Sequence, residues 1–231
     1  MDAIEFNKKL RLSIFIPLLL TLTMWFVKVY EWLFDDSLVS FGIMPRKVEH
    51  LYGILFSPII HSDWSHLWAN TIPFFVLSTS LFFFYRTIAT KTFLIMYIGS
   101  GFLLWCIGRE SYHIGMSGII YALATFLMVS GLIKKNYRLT ALALIVVFLY
   151  GSLFWGLFPI EKQVSWEGHI SGALIGLVLA VIFKNKGPQP PVILSEDDED
   201  DETIPEEIWN AENIQKENPE DTTPTNQDAT F

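Results

Sequence analysis

Residues 168–176 read Gly168-His169-Ile170-Ser171-Gly172-Ala173-Leu174-Ile175-Gly176, and they open an apolar run that continues to Phe183. On a helix, His169, Gly172 and Gly176 fall at i, i+3 and i+7 and so share one face. Gly172 and Gly176 form a Gly-xxx-Gly pair, which lets a neighbouring helix approach to backbone distance. That helix then lies beside the imidazole. Alone, a histidine at a helix end is usually structural or interfacial; the small face beside it favours a functional role. Polar groups at membrane depth are expensive and call for an explanation.

Outward from this run, the chain divides into an apolar body and a polar tail. Its 231 residues are 52% hydrophobic and 15% aromatic, rich for a soluble domain. Six apolar stretches are expected to be membrane spans: Leu12–Tyr30, Leu67–Tyr85, Thr92–Ile107, Gly115–Ile133, Leu139–Phe158 and His169–Phe183. A span needs about 20 apolar residues, fewer where a helix starts inside a protein cavity. Lys8, Lys9 and Arg11 give the first stretch a basic start. Its length and the lack of a small-residue cleavage site argue for a retained helix over a signal peptide.

Loop charge sets the orientation. With the N-terminus in the cytoplasm, the inner segments hold 10 Lys and Arg and the outer loops hold 4, namely Arg46, Lys47, Arg109 and Lys162. This bias places both termini in the cytoplasm. The expected location is an integral, multi-pass protein of the cell (plasma or inner) membrane, with the lipid bilayer as its standing partner. Residues 1–186 are read as the membrane domain. Residues 187–231 are read as an acidic, disordered cytoplasmic tail: from Lys186 onward there are 14 acids against Lys186 and Lys216, a net of −12. Such a composition does not build a core. Cys106 is the single cysteine, so no intrachain disulfide or metal-binding cysteine pattern exists. No cofactor, metal or nucleic-acid partner is expected. The outer segment from Glu31 to His61 mixes Trp32, Phe34, Phe41, Ile43 and Ile54 with charges, and is expected to lie on the protein or dip into the interface.

Two further polar clusters fall on the same outer side. Gly115-Met116-Ser117-Gly118 starts the fourth span. Flanking glycines allow close approach of backbone or substrate, and the N-terminus of a helix offers free N–H groups to an oxyanion. A packing face, with Gly118 and Ala122 four apart, is the plainer role for such residues. The other cluster is His61-Ser62-Asp63-Trp64-Ser65-His66-Leu67-Trp68-Ala69-Asn70. His66 and Asn70 share a face, and both carry hydrogen-bond donors. Asp63 or Ser62 is placed to cap the helix. A metal site from His61, Asp63 and His66 fits poorly, because the spacing does not match zinc ligands on one helix. A base, a nucleophile and oxyanion donors at one depth are the parts of an acyl-transfer site.

Taken together these residues resemble the rhomboid family of intramembrane serine proteases, from Leu51 to about Phe183. The resemblance implies an all-α membrane protein with a six-transmembrane-helix rhomboid-like bundle. It implies a catalytic pair of Ser117 and His169 and an oxyanion hole from His66, Asn70 and the Ser117 N–H. Gly115, Gly118, Tyr121, His61, Gly172 and Gly176 would support them, Tyr121 by packing against the histidine. The implied activity is serine endopeptidase cleavage of membrane-protein substrates with a transmembrane helix, near the outer face, through an acyl-enzyme. No carboxylate third member is implied. Glu167, two residues before His169, would point away from the imidazole if both are helical. Where many members carry a Trp-Arg pair in the outer loop, this chain reads Ile43-Met44-Pro45-Arg46-Lys47-Val48. The alternatives are a non-catalytic rhomboid-like binding or chaperone module, whose members typically lack the serine or histidine, and a small transporter or channel. The sequence leaves the oligomeric state open.

Overall fold

The computed structural model describes residues 3–149, 155–160 and 163–188. The described chain is all-helical, with one isolated antiparallel bridge between Ile43 and His113. The helices are α1 (Ala3–Phe34), the short α2 (Gly53–Phe56), α3 (Trp64–Phe84), α4 (Ala89–Ile107), α5 (Ser117–Ile133), α6 (Tyr137–Leu149) and α7 (Trp166–Ile182). Of these, α1, α3 and α4 are long and apolar enough to cross a membrane. The 17-residue α5 and α7 reach about 26 Å at 1.5 Å per residue.

Helix ends follow local chemistry. α3 starts three residues before the expected Leu67, because Asp63 is its N-cap and accepts the His66 N–H at 2.9 Å. The expected fourth span, α5, begins at Ser117 rather than Gly115. Gly115 has φ +104°, a left-handed conformation suited to glycine, so it turns the chain just before the helix. α7 begins at Trp166, one turn earlier than the apolar pattern alone suggested. The expected fifth span, Leu139–Phe158, is helical over Tyr137–Leu149; residues 150–154 lie outside the described residues. So does the tail beyond Pro188, on which the expectation of disorder falls.

α5 is the central helix, in contact with α3, α4, α6 and α7, and its closest partner is α7. Small residues make that contact. A Cβ on Gly172 would land on the Gly118 carbonyl oxygen, and one on Gly176 on the Ala122 carbonyl oxygen. The Gly-xxx-Gly face of α7 therefore meets the Gly118/Ala122 face of α5, backbone to backbone. Around it, Met24, Leu67, Phe74, Leu77, Ile120 and Phe126 are buried in one apolar cluster.

The segment between α1 and α3 packs on the protein, one of the two placements expected of it. Ile43 and Ile54 are buried against Leu104 of α4. Trp105 Nε1 donates to the Lys47 carbonyl at 3.1 Å, and Arg46 donates to the Gly108 carbonyl. The loop, which lacks the Trp-Arg pair, is held to α4 by these contacts. The Ile43–His113 bridge, with N–H···O distances of 2.9 Å both ways, ties that loop to the strap ahead of Ser117.

Candidate active site

Ser117 is the first residue of α5 and His169 lies in the first turn of α7. The Gly172–Gly118 contact sets how near these two helices run. His169 Nε2 stands 2.8 Å from Ser117 Oγ, within hydrogen-bond range. His169 Nδ1 stands 2.7 Å from the Gly156 carbonyl oxygen. A carbonyl can only accept, so Nδ1 carries the proton. In the neutral ring Nε2 then holds the lone pair, and Ser117 O–H donates to it. A backbone carbonyl thereby fixes the tautomer that a base needs. Tyr121, one turn along α5, stacks on the imidazole with ring centroids 4.2 Å apart and planes 16° apart.

Glu167 does not orient His169, as the sequence suggested. It is 4% exposed and takes Arg109 Nη1 on both oxygens, at 3.2 and 3.1 Å. Arg109 Nη2 also donates to the Val164 carbonyl at 2.9 Å. Beside this pair His113 is buried; its Nε2–H donates to the Arg109 carbonyl at 3.1 Å. That leaves Nδ1 as acceptor for Ser165 O–H at 2.6 Å. Burial pushes the His113 imidazolium below its ordinary range, with the Arg109 carbonyl working the other way. The segment leading to Ser117 is therefore strapped to the segment leading to His169. Arg109, His113, Ser165 and Gly156 were not singled out from the sequence. One signal was available: His113 precedes Ser117 by four residues, and Ser165 precedes His169 by four.

The third cluster sits across the turn at Gly115. A Cβ there would come within 2.8 Å of His66 Cε1 and Nε2, so this edge of the ring lies over the glycine two residues before Ser117. Asn70, one turn further, is buried and donates Nδ2–H to the His66 carbonyl at 2.8 Å. One amide N–H remains for another acceptor. His61 is 1% exposed and meets His66 edge-on, with centroids 5.0 Å apart. Burial first, then the neighbouring His66, push its imidazolium down to about 3, so it stays neutral at physiological pH. Ser62 Oγ bridges outward, 2.7 Å from Asp63 Oδ2 and 3.1 Å from His66 Nδ1. Beside Ser117 a cavity of about 30 Å³ is lined by residues including Tyr97, Ser100, Gly101, His113, Gly118 and Gly168. No group of His, Cys, Asp and Glu among the described residues has the arrangement to hold a metal ion.

Comparison with known proteins agrees with this architecture. The family model described as Rhomboid domain matches residues 48–186. An uncharacterized protein of Mycobacterium tuberculosis (strain ATCC 25618 / H37Rv) is 36% identical, with 69% of this chain and 70% of the relative covered. An uncharacterized protein of Mycobacterium leprae (strain TN) is 32% identical, with 78% of this chain and 75% of the relative covered. The chain belongs to the rhomboid family, and its apolar helices suit an integral membrane protein.

Proposed function

We propose that this chain is an intramembrane serine endopeptidase that cleaves transmembrane-segment substrates near the outer face of the membrane. The observation that carries the proposal is the 2.8 Å contact between Ser117 Oγ and a His169 ring whose other nitrogen is held by a backbone carbonyl. In this reading residues 1–186 form a six-span bundle, with both termini in the cytoplasm of a plasma or inner membrane. Residues 187–231 form a separate acidic tail. The short α5 and α7 fit spans that start within a polar cavity below the surface.

The chemistry follows from the tautomer. His169 Nε2 takes the Ser117 proton as Oγ attacks a substrate carbonyl carbon. The resulting oxyanion is held by the Ser117 N–H, which has no intrahelical acceptor at the first turn, and by His66 and Asn70. Ser62 O–H is donated to Asp63 Oδ2; His66 Nε2 carries the ring proton once that hydroxyl turns from Asp63 to Nδ1. The His169 imidazolium then protonates the leaving amine, and the C–N bond breaks. Water deprotonated by the same ring hydrolyses the acyl-enzyme, and Ser117 recovers its proton. His66→Ala and Asn70→Ala should each lower kcat by about 10²–10³, the usual cost of one oxyanion donor. Single-turnover cleavage in detergent measures it, and wild-type rates would remove those residues from the oxyanion hole.

The cavity beside Ser117 is small and lined partly by Gly101, Gly118 and Gly168. A substrate with a small residue at the cleavage position fits it best. The test is cleavage of single-span substrates in proteoliposomes, with sites mapped by mass spectrometry. Cuts near the outer end of the span, lost on bulky replacement at that position, support the proposal. No cut in any substrate by folded protein would favour a non-catalytic binding module instead.

A further inference from the structure

Lys28 lies toward the C-terminal end of α1, outside the region matched by the family model, and the mechanism above does not use it. Its side chain is 12% exposed. Its ammonium has three N–H donors, and three acceptors surround it: Glu31 Oε2 at 3.1 Å and the carbonyls of His61 and Ser62 at 3.0 Å each. Glu31, itself buried, accepts the Leu38 N–H on Oε1 at 2.9 Å. The two side chains thus clasp the outer loop at both ends, where it leaves α1 and where it enters α3. A charge removed from water is retained only with such full pairing.

We propose that Lys28 is a positioning residue for the oxyanion hole, acting through the His61–Ser62 turn on His66. The route is short. Lys28 fixes two successive carbonyls, and the second belongs to Ser62. Ser62 Oγ in turn lies 3.1 Å from His66 Nδ1, within hydrogen-bond range of the ring. The opposite edge of the ring covers Gly115, two residues before Ser117. Holding the Ser62 backbone therefore holds the position of His66. Elsewhere α1 packs against α3, with Trp25 Nε1 donating to Thr71 Oγ1 at 3.1 Å, and Lys28 gives the helix a part in the chemistry. The same turn carries His61, which is buried and meets the His66 ring edge-on.

This role rests on the protease reading above, and the experiment separates the two. Steady-state cleavage of a single-span substrate is measured in detergent for wild type, Lys28→Met, Lys28→Arg, His66→Ala and Lys28→Met/His66→Ala, with Ser117→Ala as reference. Lys28→Met is expected to lower kcat by about 10–10², the scale of a misplaced oxyanion donor, with KM within about twofold. Lys28→Arg, which restores charge and donors, should lose less. In the His66→Ala background Lys28→Met should have little further effect, because groups acting through one partner are not additive. A simple structural role would instead lower the unfolding temperature and multiply with His66→Ala. That result, or wild-type kcat in folded Lys28→Met, overturns the proposal. If Lys28→Met does not yield folded protein, Lys28→Gln, which keeps two donors, takes its place in the same cycle. Cleavage that survives in Ser117→Ala would overturn the protease reading itself, whatever Lys28 does.

Discussion

Ser117→Ala and His169→Ala are each expected to reduce substrate cleavage by about 10⁴–10⁶, the range for losing a nucleophile or its base. The double variant should be no slower than either single one. The reason is geometric: Ser117 Oγ has its base at 2.8 Å, and neither group works without the other. His169→Ala also removes the ring on which Tyr121 stacks, so its unfolding temperature should fall, whereas Ser117→Ala should unfold like wild type. Cleavage rates and thermal unfolding in detergent check both halves. Additive losses in the double variant would mean that the two residues do not act as one unit.

The second large effect is expected from a substitution that touches neither group. Gly172→Ala would put a Cβ on the Gly118 carbonyl oxygen, with the Ala122 nitrogen also within 3.3 Å. Backbone cannot yield as a flexible side chain does, so α7 must move away from α5. Overpacking of this kind costs about 1–3 kcal/mol. The catalytic cost is larger, because a shift of about 1 Å between reacting groups costs about 10² in rate. Gly172→Ala should therefore remain substantially folded and lose about 10² or more in kcat. Leu174→Ile, on an exposed part of the same helix, should behave as wild type. Retention of full activity by Gly172→Ala would show that the glycine contact does not set the Ser117–His169 distance.

Much of this arrangement was legible because the informative residues are polar or small in an apolar setting. His169 with Gly172 and Gly176 announced a close helix contact, and Gly118 with Ala122 offered its partner face. His66 and Asn70 were legible as one face of α3 because helical spacing is regular. The anchors of the outer loop were not. Arg46, Trp105 and the Ile43–His113 bridge join residues tens of positions apart, and no local period encodes such pairings. The same holds for Gly156, whose role comes from its carbonyl, a group every residue possesses. Lys28 lies within or at the end of the first expected span; two of its three acceptors come from a turn more than thirty residues away. Glu167 was visible as an acid near the histidine, but its partner, Arg109, lies on a different segment.

The central claim is that Ser117 is a nucleophile activated by His169. The most direct test is reaction of purified protein in detergent with a fluorophosphonate, followed by mass spectrometry of the adduct. The account predicts a single phosphonylated residue, Ser117, with labelling lost in both Ser117→Ala and His169→Ala. Folded wild type that stays unlabelled while it cleaves substrate, or an adduct on another serine that persists in His169→Ala, would contradict it.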